Sequence, residues 1–431
     1  MPDNLNNKPL LVIIYPYKFT DFVFHKLELE YFTKYSDVSI WDISHISTPA
    51  FANAVITERS SYKEVLVLYS LKDFIRNVSE LRKKSRSRKI FIITELYNNS
   101  LREFLCNLIL RILLKQRNIS VIEYCNGGVP LNYPSIENKS AAIEKSRFLT
   151  KSYNFIKRTS SFKEVKKTVI SVVFQRLGNY FANITTHKLV AGDDYLDISK
   201  KSFRDKKGIT LVFGHSEDFS NLMLKGNKVD SFLLPYPKIA TYIDGPGPMF
   251  TGDVAYFGRK VFFTSEVWYP SLCLFFDEIE SKTGIKVVIA GHYKTKHPHI
   301  APCFGNRFVY YGKVKELVSN SEFVITRAST AISYAVIFGK PVISIYSNQL
   351  KNDQSMMFDI NGMAAVLGNT PINIDDKIPD IESILKIKED RYQIYKKVCL
   401  SSNSSLKPNC QIIMEEIMSL KVDTDIYKND M

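Results

Sequence analysis

Lys286-Val287-Val288-Ile289-Ala290-Gly291-His292 and, after it, Phe323-Val324-Ile325-Thr326-Arg327-Ala328-Ser329-Thr330 carry the reading of the fold. Each is a short, β-rich apolar run that stops at a polar residue, as a buried parallel strand does where it delivers a side chain to its carboxyl end. Ser329 or Thr330 is placed to cap a helix from Ala331 to Phe338, Gly339-Lys340-Pro341 closes it, and Val342 to Tyr346 is the next strand. Strand, hydroxyl at the helix start, Gly-Lys-Pro and strand make a βαβ unit. Ligands of open α/β sheets bind beyond the carboxyl ends of the strands, where a helix amino terminus offers free N–H groups to a phosphate. Gly291, His292, Arg327, Ser329 and Thr330 therefore fall on the ligand-binding edge.

Outward from this stretch the same alternation recurs. Strands are expected at Leu10–Tyr15, Val38–Trp41, Glu64–Tyr69, Lys89–Thr94 and Ile119–Glu123, with helices at 71–84 and 101–116 between the later ones. In the first helix Phe74, Val78 and Leu81 recur at helical spacing. Strands joined by short helices make a parallel α/β sheet. A chain of 431 residues suits two such domains. The division expected is an amino-terminal Rossmann-like domain over 1–185, a second over 186–395 opening at Lys188 and Ile209–Phe213, and helices over 396–431 that cross back onto the first. Residues 140–181 are expected to bridge the halves as basic, aromatic amphipathic helices.

Composition bounds the function. The chain is 45% hydrophobic and 24% charged, which is globular, and its longest apolar passages fall short of the ~20 residues of a spanning helix. The start, Met-Pro-Asp-Asn-Leu-Asn-Asn-Lys, carries no signal-peptide pattern, so a cytoplasmic location is expected. Six dispersed cysteines without Cys-x-x-Cys spacing read as reduced thiols, and no metal or other cofactor is expected. A net charge of +14 points to a polyanionic partner. With no helix-turn-helix, zinc-finger or RNP-like pattern beside it, nucleic acid is set aside in favour of an anionic membrane surface, to which the 140–181 bridge would hold a peripheral protein.

At Val324 to Ile345, preceded by a strand ending in His, the sequence resembles bacterial surface-polysaccharide glycosyltransferases of GT-B architecture, in the sialyltransferase-like and ulosonate-transferring groups. Those groups use an acidic residue, a His-Pro motif and a Ser/Thr pair. The resemblance covers roughly Thr186 to Tyr346 and implies two Rossmann-like domains with parallel sheets facing a central cleft. It also implies inverting, metal-independent transfer of a sialic-acid-like nonulosonate or Kdo from a CMP donor to a glycan or lipid-linked saccharide of lipopolysaccharide or capsule. The chain departs from the pattern twice. His292 is followed by Tyr293, and the literal His-Pro is His297-Pro298, so either histidine can be the one that meets the phosphate. The acidic pair expected near the end of the fifth strand is replaced by Asn126-Gly127-Gly128, left as acceptor-binding candidates.

Sugar transfer needs a cradle for the leaving phosphate and a base for the incoming hydroxyl. Arg327, Ser329 and Thr330, with Gly291 and His297, are the candidates for donor binding, and His292 for the proton or hydrogen bond given to the departing phosphate. Asp244, after the strand Ile239–Tyr242 and fixed by Gly245-Pro246-Gly247-Pro248, is the candidate base, with Asp253 its rival. A UDP-sugar transferase, a nucleotide-sugar 2-epimerase and a non-catalytic subunit use the same architecture and stay open.

Overall fold

The computed structural model describes residues 8–54, 58–115, 119–125, 162–192, 208–224, 233–245, 247–250, 262–292, 295, 297–298, 300–401 and 406–420. They form two compact units. One gathers residues up to 125 with 166–224 and 401–420, and the other takes 162–165 with 233–400.

The first unit is built on β1 (Leu10–Tyr15), β2 (Asp37–Asp42), β3 (Val65–Val67), β4 (Ile90–Thr94), β5 (Ile119–Cys125), β6 (His187–Ala191) and β7 (Thr210–Gly214). They lie side by side in the order β3-β2-β1-β4-β5-β6-β7, every pair parallel. All six residues of β1 are buried, as a central strand covered on both faces requires. Its alternate residues enter two cores. Leu11 and Ile13 pack with Phe32, Ile40 and Ile93 on one face, and Val12 and Ile14 with Phe74, Val78 and Leu110 on the other.

The helices form where their caps are. The helix Leu71–Lys84 starts at Ser70, whose Oγ accepts the Asp73 N–H at 3.1 Å, and it buries Phe74, Val78 and Leu81. In the helix Leu101–Leu114, Ser100 accepts from the Glu103 N–H at 3.2 Å while the Glu103 carboxylate reaches back to the Asn99 N–H at 3.0 Å, a reciprocal cap.

The division between the units falls later than the sequence suggested. β6 and β7 extend the first sheet through Leu189, Val190 and Val212, so the break lies beyond Leu224 rather than at 185/186. A parallel strand finds its partner through the sheet and not along the chain, so its allegiance is not marked locally. At the other end the second unit runs to Leu400 rather than 395, and the helical segment Asn409–Ile417 lies in the first core, where Cys410, Ile413 and Met414 join Leu11 and Phe32. Glu28 ties this return: its carboxylate accepts the Cys410 N–H at 2.8 Å and the Ser220 hydroxyl, and Ser220 Oγ accepts the Asn409 N–H at 2.6 Å.

The second unit carries β8 (Ile239–Ile243), β9 (Lys286–Gly291), β10 (Ile300–Ala301), β11 (Arg307–Tyr311), β12 (Ser321–Thr326), β13 (Val342–Tyr346) and β14 (Ile372–Asn373), in the order β10-β11-β9-β8-β12-β13-β14. All pair in parallel except β10, antiparallel to β11. The chain runs outward from β8 to β9 and β11, then returns to lay β12 on the other side of β8. The sheet therefore reverses between β8 and β12, which is where open α/β sheets hold their ligands. The helix Ser265–Thr283 covers one face through Trp268, Leu272, Phe276 and Ile279 and ends at Gly284 in the left-handed conformation, φ 69°.

Burial pushes the Glu28 carboxyl up to about 7 from 4.5, against the hydrogen bonds from Ser220 and Cys410. An acid that binds its proton more tightly folded than unfolded contributes stability that is full below 4.5 and lost as pH rises towards 7. That loss is on the order of 3 kcal/mol, and Glu28→Gln should abolish it. Denaturant unfolding at pH 5 and pH 8 checks this. An undiminished pH slope in the variant would assign the effect elsewhere.

Candidate functional site

Asp244 follows β8 and Arg327 follows β12, so both stand at the carboxyl ends of the two strands that flank the reversal of the second sheet. Both are buried, at 2% and 3% exposure. The Arg327 guanidinium lies over the rings of Phe263, 5.1 Å from the centroid, and Trp268, 5.0 Å away, and it donates through Nη2 to the Gly247 carbonyl at 3.1 Å. The glycines after Asp244 make this possible. A Cβ at Gly245 would stand 2.4 Å from Nη2 of Arg327, and one at Gly247 would stand 2.9 Å from the Phe263 ring. The Asp-Gly-x-Gly turn is thus shaped around the arginine.

The histidine that faces Asp244 is His297. Its Nε2 stands 3.7 Å from Asp244 Oδ2, beyond hydrogen-bond length, and its Nδ1 lies 3.6 Å from the Cys303 sulfur. Phe304 meets the imidazole edge-on at 5.2 Å and Tyr269 at 6.3 Å. The backbone of His297 is fixed by Tyr311, whose hydroxyl accepts the His297 N–H. Gly291 makes room for that tyrosine: a Cβ there would come within 2.8 Å of its ring. Gly291 thus has a packing duty in the cluster. Burial disfavours the charge on His297, yet Asp244 and Cys303 outweigh it and push the imidazole up to about 9. At neutral pH the described residues of the cluster set an imidazolium and a guanidinium against one carboxylate.

Several of its polar atoms find no hydrogen-bond partner among the described residues. They are Nε and Nη1 of Arg327, both carboxylate oxygens of Asp244 and Nε2 of His297. Thr326 Oγ1 at the end of β12, Ser344 Oγ within β13 and Ser347 Oγ just after it are in the same condition. Buried polar atoms are nearly always paired, so a row of exceptions along one sheet edge marks a place that a bound molecule or water satisfies.

The expected site is therefore rearranged. Asp244 and Arg327 come together, with His297 in the place foreseen for His292. His292 follows β9 half-buried, and its carbonyl accepts from Thr295 N–H at 3.0 Å. Asp244, the candidate base, is buried with its Oδ2 3.7 Å from His297 Nε2. Ser329 and Thr330 do not cap: the helix runs only from Ile332 to Ile337, with Ala331 at its start and no side-chain cap. Ser329 Oγ instead accepts the Ala331 N–H at 3.3 Å, and Thr330 is exposed. Asn126, Gly127, Gly128 and Asp253 lie outside the described residues. Phe263, Trp268, Tyr269 and Cys303 were not foreseen, since nothing local separates them from ordinary core residues.

No family model and no curated protein matches the sequence. Among solved structures the chain is similar to a variant of the wall teichoic acid polymerase TagF, with a TM-score of 0.51 at 11% identity over 98% of this chain and 89% of that one. The fold is GT-B. Structures of a UDP-N-acetylglucosamine 2-epimerase, at TM-score 0.48 and 12% identity over 97% and 99% of the two chains, and of the Neisseria meningitidis UDP-GlcNAc 2-epimerase bound to UDP-GlcNAc, at 0.46 and 11% over 95% and 100%, also match.

If Asp244 sustains the charge on His297, the imidazole should titrate near 9 by NMR in the native protein. In Asp244→Asn it should fall towards or below the ordinary 6.5. An unmoved titration would detach His297 from Asp244.

Proposed function

We propose that this chain is a GT-B glycosyltransferase of bacterial surface-polysaccharide assembly, drawing its sugar from a nucleotide donor seated at the carboxyl edge of the second sheet. One observation carries the reading: among the described residues, an excess of buried positive charge, with guanidinium donors that find no partner there, stands at the point where the sheet reverses. Desolvated cation with no partner is costly, and a nucleotide phosphate supplies both the charge and the acceptor oxygens that are missing. In this reading Arg327 grips the donor phosphate and Asp244 positions His297. As an imidazolium, His297 steadies the negative charge that grows on the leaving phosphate. Ser329 and His292 line the same edge.

The finer reading keeps the resemblance noted in the sequence. The donor is CMP-linked, a nonulosonate or Kdo, transfer inverts without a metal, and the acceptor is a glycan presented at the inner face of an anionic membrane. What supports it is the strand-end arrangement of β12, Arg327 and Ser329. A UDP-sugar donor, or epimerisation of one, is the alternative reading.

Calorimetric titration with CMP and with UDP is the test, followed by incubation with nucleotide sugars to look for free nucleotide or epimerised donor. Binding of CMP is expected. Arg327→Lys keeps the charge but loses the planar fork, and should weaken binding roughly 10- to 100-fold. UDP binding with none of CMP would move the donor class, and unchanged affinity in Arg327→Lys would remove the phosphate site from this edge.

A further inference from the structure

The helix Phe162–Leu177 is inverted relative to an ordinary surface helix, whose apolar stripe faces the core. The side that meets the first unit is mostly polar or small. Gln175 Nε2 donates to Asn99 Oδ1 at 2.8 Å, Ser171 Oγ stands 3.5 Å from the same oxygen, and Gly178 is packed so closely on Asn98 that a Cβ would overlap its amide. Phe174, against Phe104 at 5.7 Å between centroids, is the apolar exception. The apolar residues instead face out: Val169 is 51% exposed, Val173 47%, Val172 43% and Ile170 39%, with Leu177 at the end of the helix. The turn that follows adds Tyr180 and Phe181, 72% and 61% exposed. Arg111 Nη1 donates to the Tyr180 carbonyl at 3.0 Å, which sets beside that turn a helix whose Ile112 is itself 66% exposed. No helix among the described residues is long and apolar enough to cross a membrane.

We infer that this outward face, Val169 to Phe181, docks the first unit onto an anionic phospholipid bilayer, lying in the interface rather than spanning it. Charge complementarity selects the occupant. Between Phe162 and Phe181 the sequence has Lys163, Lys166, Lys167 and Arg176 against the one acid Glu164, in a chain of net charge +14. Lys166 and Arg176 are exposed on the helix that bears the valines. Aliphatic side chains entering the acyl boundary, aromatic residues at headgroup depth and cations among lipid phosphates are the chemistry of an interfacial helix. A second copy fits poorly, because a twofold interface sets the same patch against itself, and this patch is cationic. The inference deepens the membrane part of the proposed function by naming the surface, and it stands apart from the nucleotide site.

The test uses the full chain with vesicles of phosphatidylglycerol and phosphatidylcholine, and with phosphatidylcholine alone. Sedimentation with the anionic vesicles is expected, at least tenfold weaker on the neutral ones and falling steeply with salt. The double variant Val173→Asp with Phe181→Ser should lose at least tenfold in vesicle binding while keeping native nucleotide affinity, which separates this surface from the donor site. Val173→Trp, at an exposed position, should give a blue-shifted emission on adding anionic vesicles. Absence of that shift, equal binding to neutral vesicles, or sedimentation velocity showing a dimer that Val173→Asp dissolves would each overturn the proposal.

Discussion

A guanidinium taken out of water is costly unless its surroundings replace what water gave it, and the second unit is arranged to do so for Arg327. Two aromatic faces and one carbonyl supply part of the replacement. The rings come from the first turn of the covering helix and from two residues ahead of it, the carbonyl from the turn after β8, and the arginine from the end of β12. One side chain thus fastens three separate elements at the place where the sheet changes direction. The glycines of that turn are needed for clearance: any side chain at Gly245 would push the guanidinium out of its seat.

The replacement is incomplete, and the incompleteness is organised. Protein cores can hold charge when each ion is matched, and among the described residues two cations share one carboxylate while the donors left over stand at a single sheet edge. A structural ion pair would be better served by closer geometry than the 3.7 Å between Asp244 and His297. Burial of Tyr242 and Tyr269 in the same cluster raises their hydroxyls above the ordinary range, so neither provides negative charge near neutral pH.

Much of the fold was legible because period and caps are local. The helix Leu71–Lys84 and its buried Phe74, Val78 and Leu81 follow from spacing and Ser70, and β12 and β13 from apolar runs bounded by polar residues. The candidate site was legible in half. Asp244 and Arg327 declare themselves as polar residues at strand ends, but their aromatic clamp is drawn from Phe263 and Trp268, far along the chain from Arg327. His292 and His297 could not be told apart because loop geometry decides which one turns inward, and that geometry rests on Tyr311 filling the space that Gly291 leaves. Ser329 and Thr330 read as a cap, yet the backbone tightens into turns before the helix begins at Ile332. The allegiance of β6 and β7 was hidden for a different reason, since parallel pairing is a long-range choice that leaves no mark on the strand itself.

The return of residues 409–417 into the first core sets an order of assembly. The second unit ends at Leu400 and is whole once that residue has been synthesised. The first cannot close its core until Cys410, Ile413 and Met414 arrive, after the entire second unit. On the ribosome the unit that begins first must therefore finish last, holding Leu11, Phe32 and Ile40 partly uncovered meanwhile, the interval in which a nascent chain depends on chaperones.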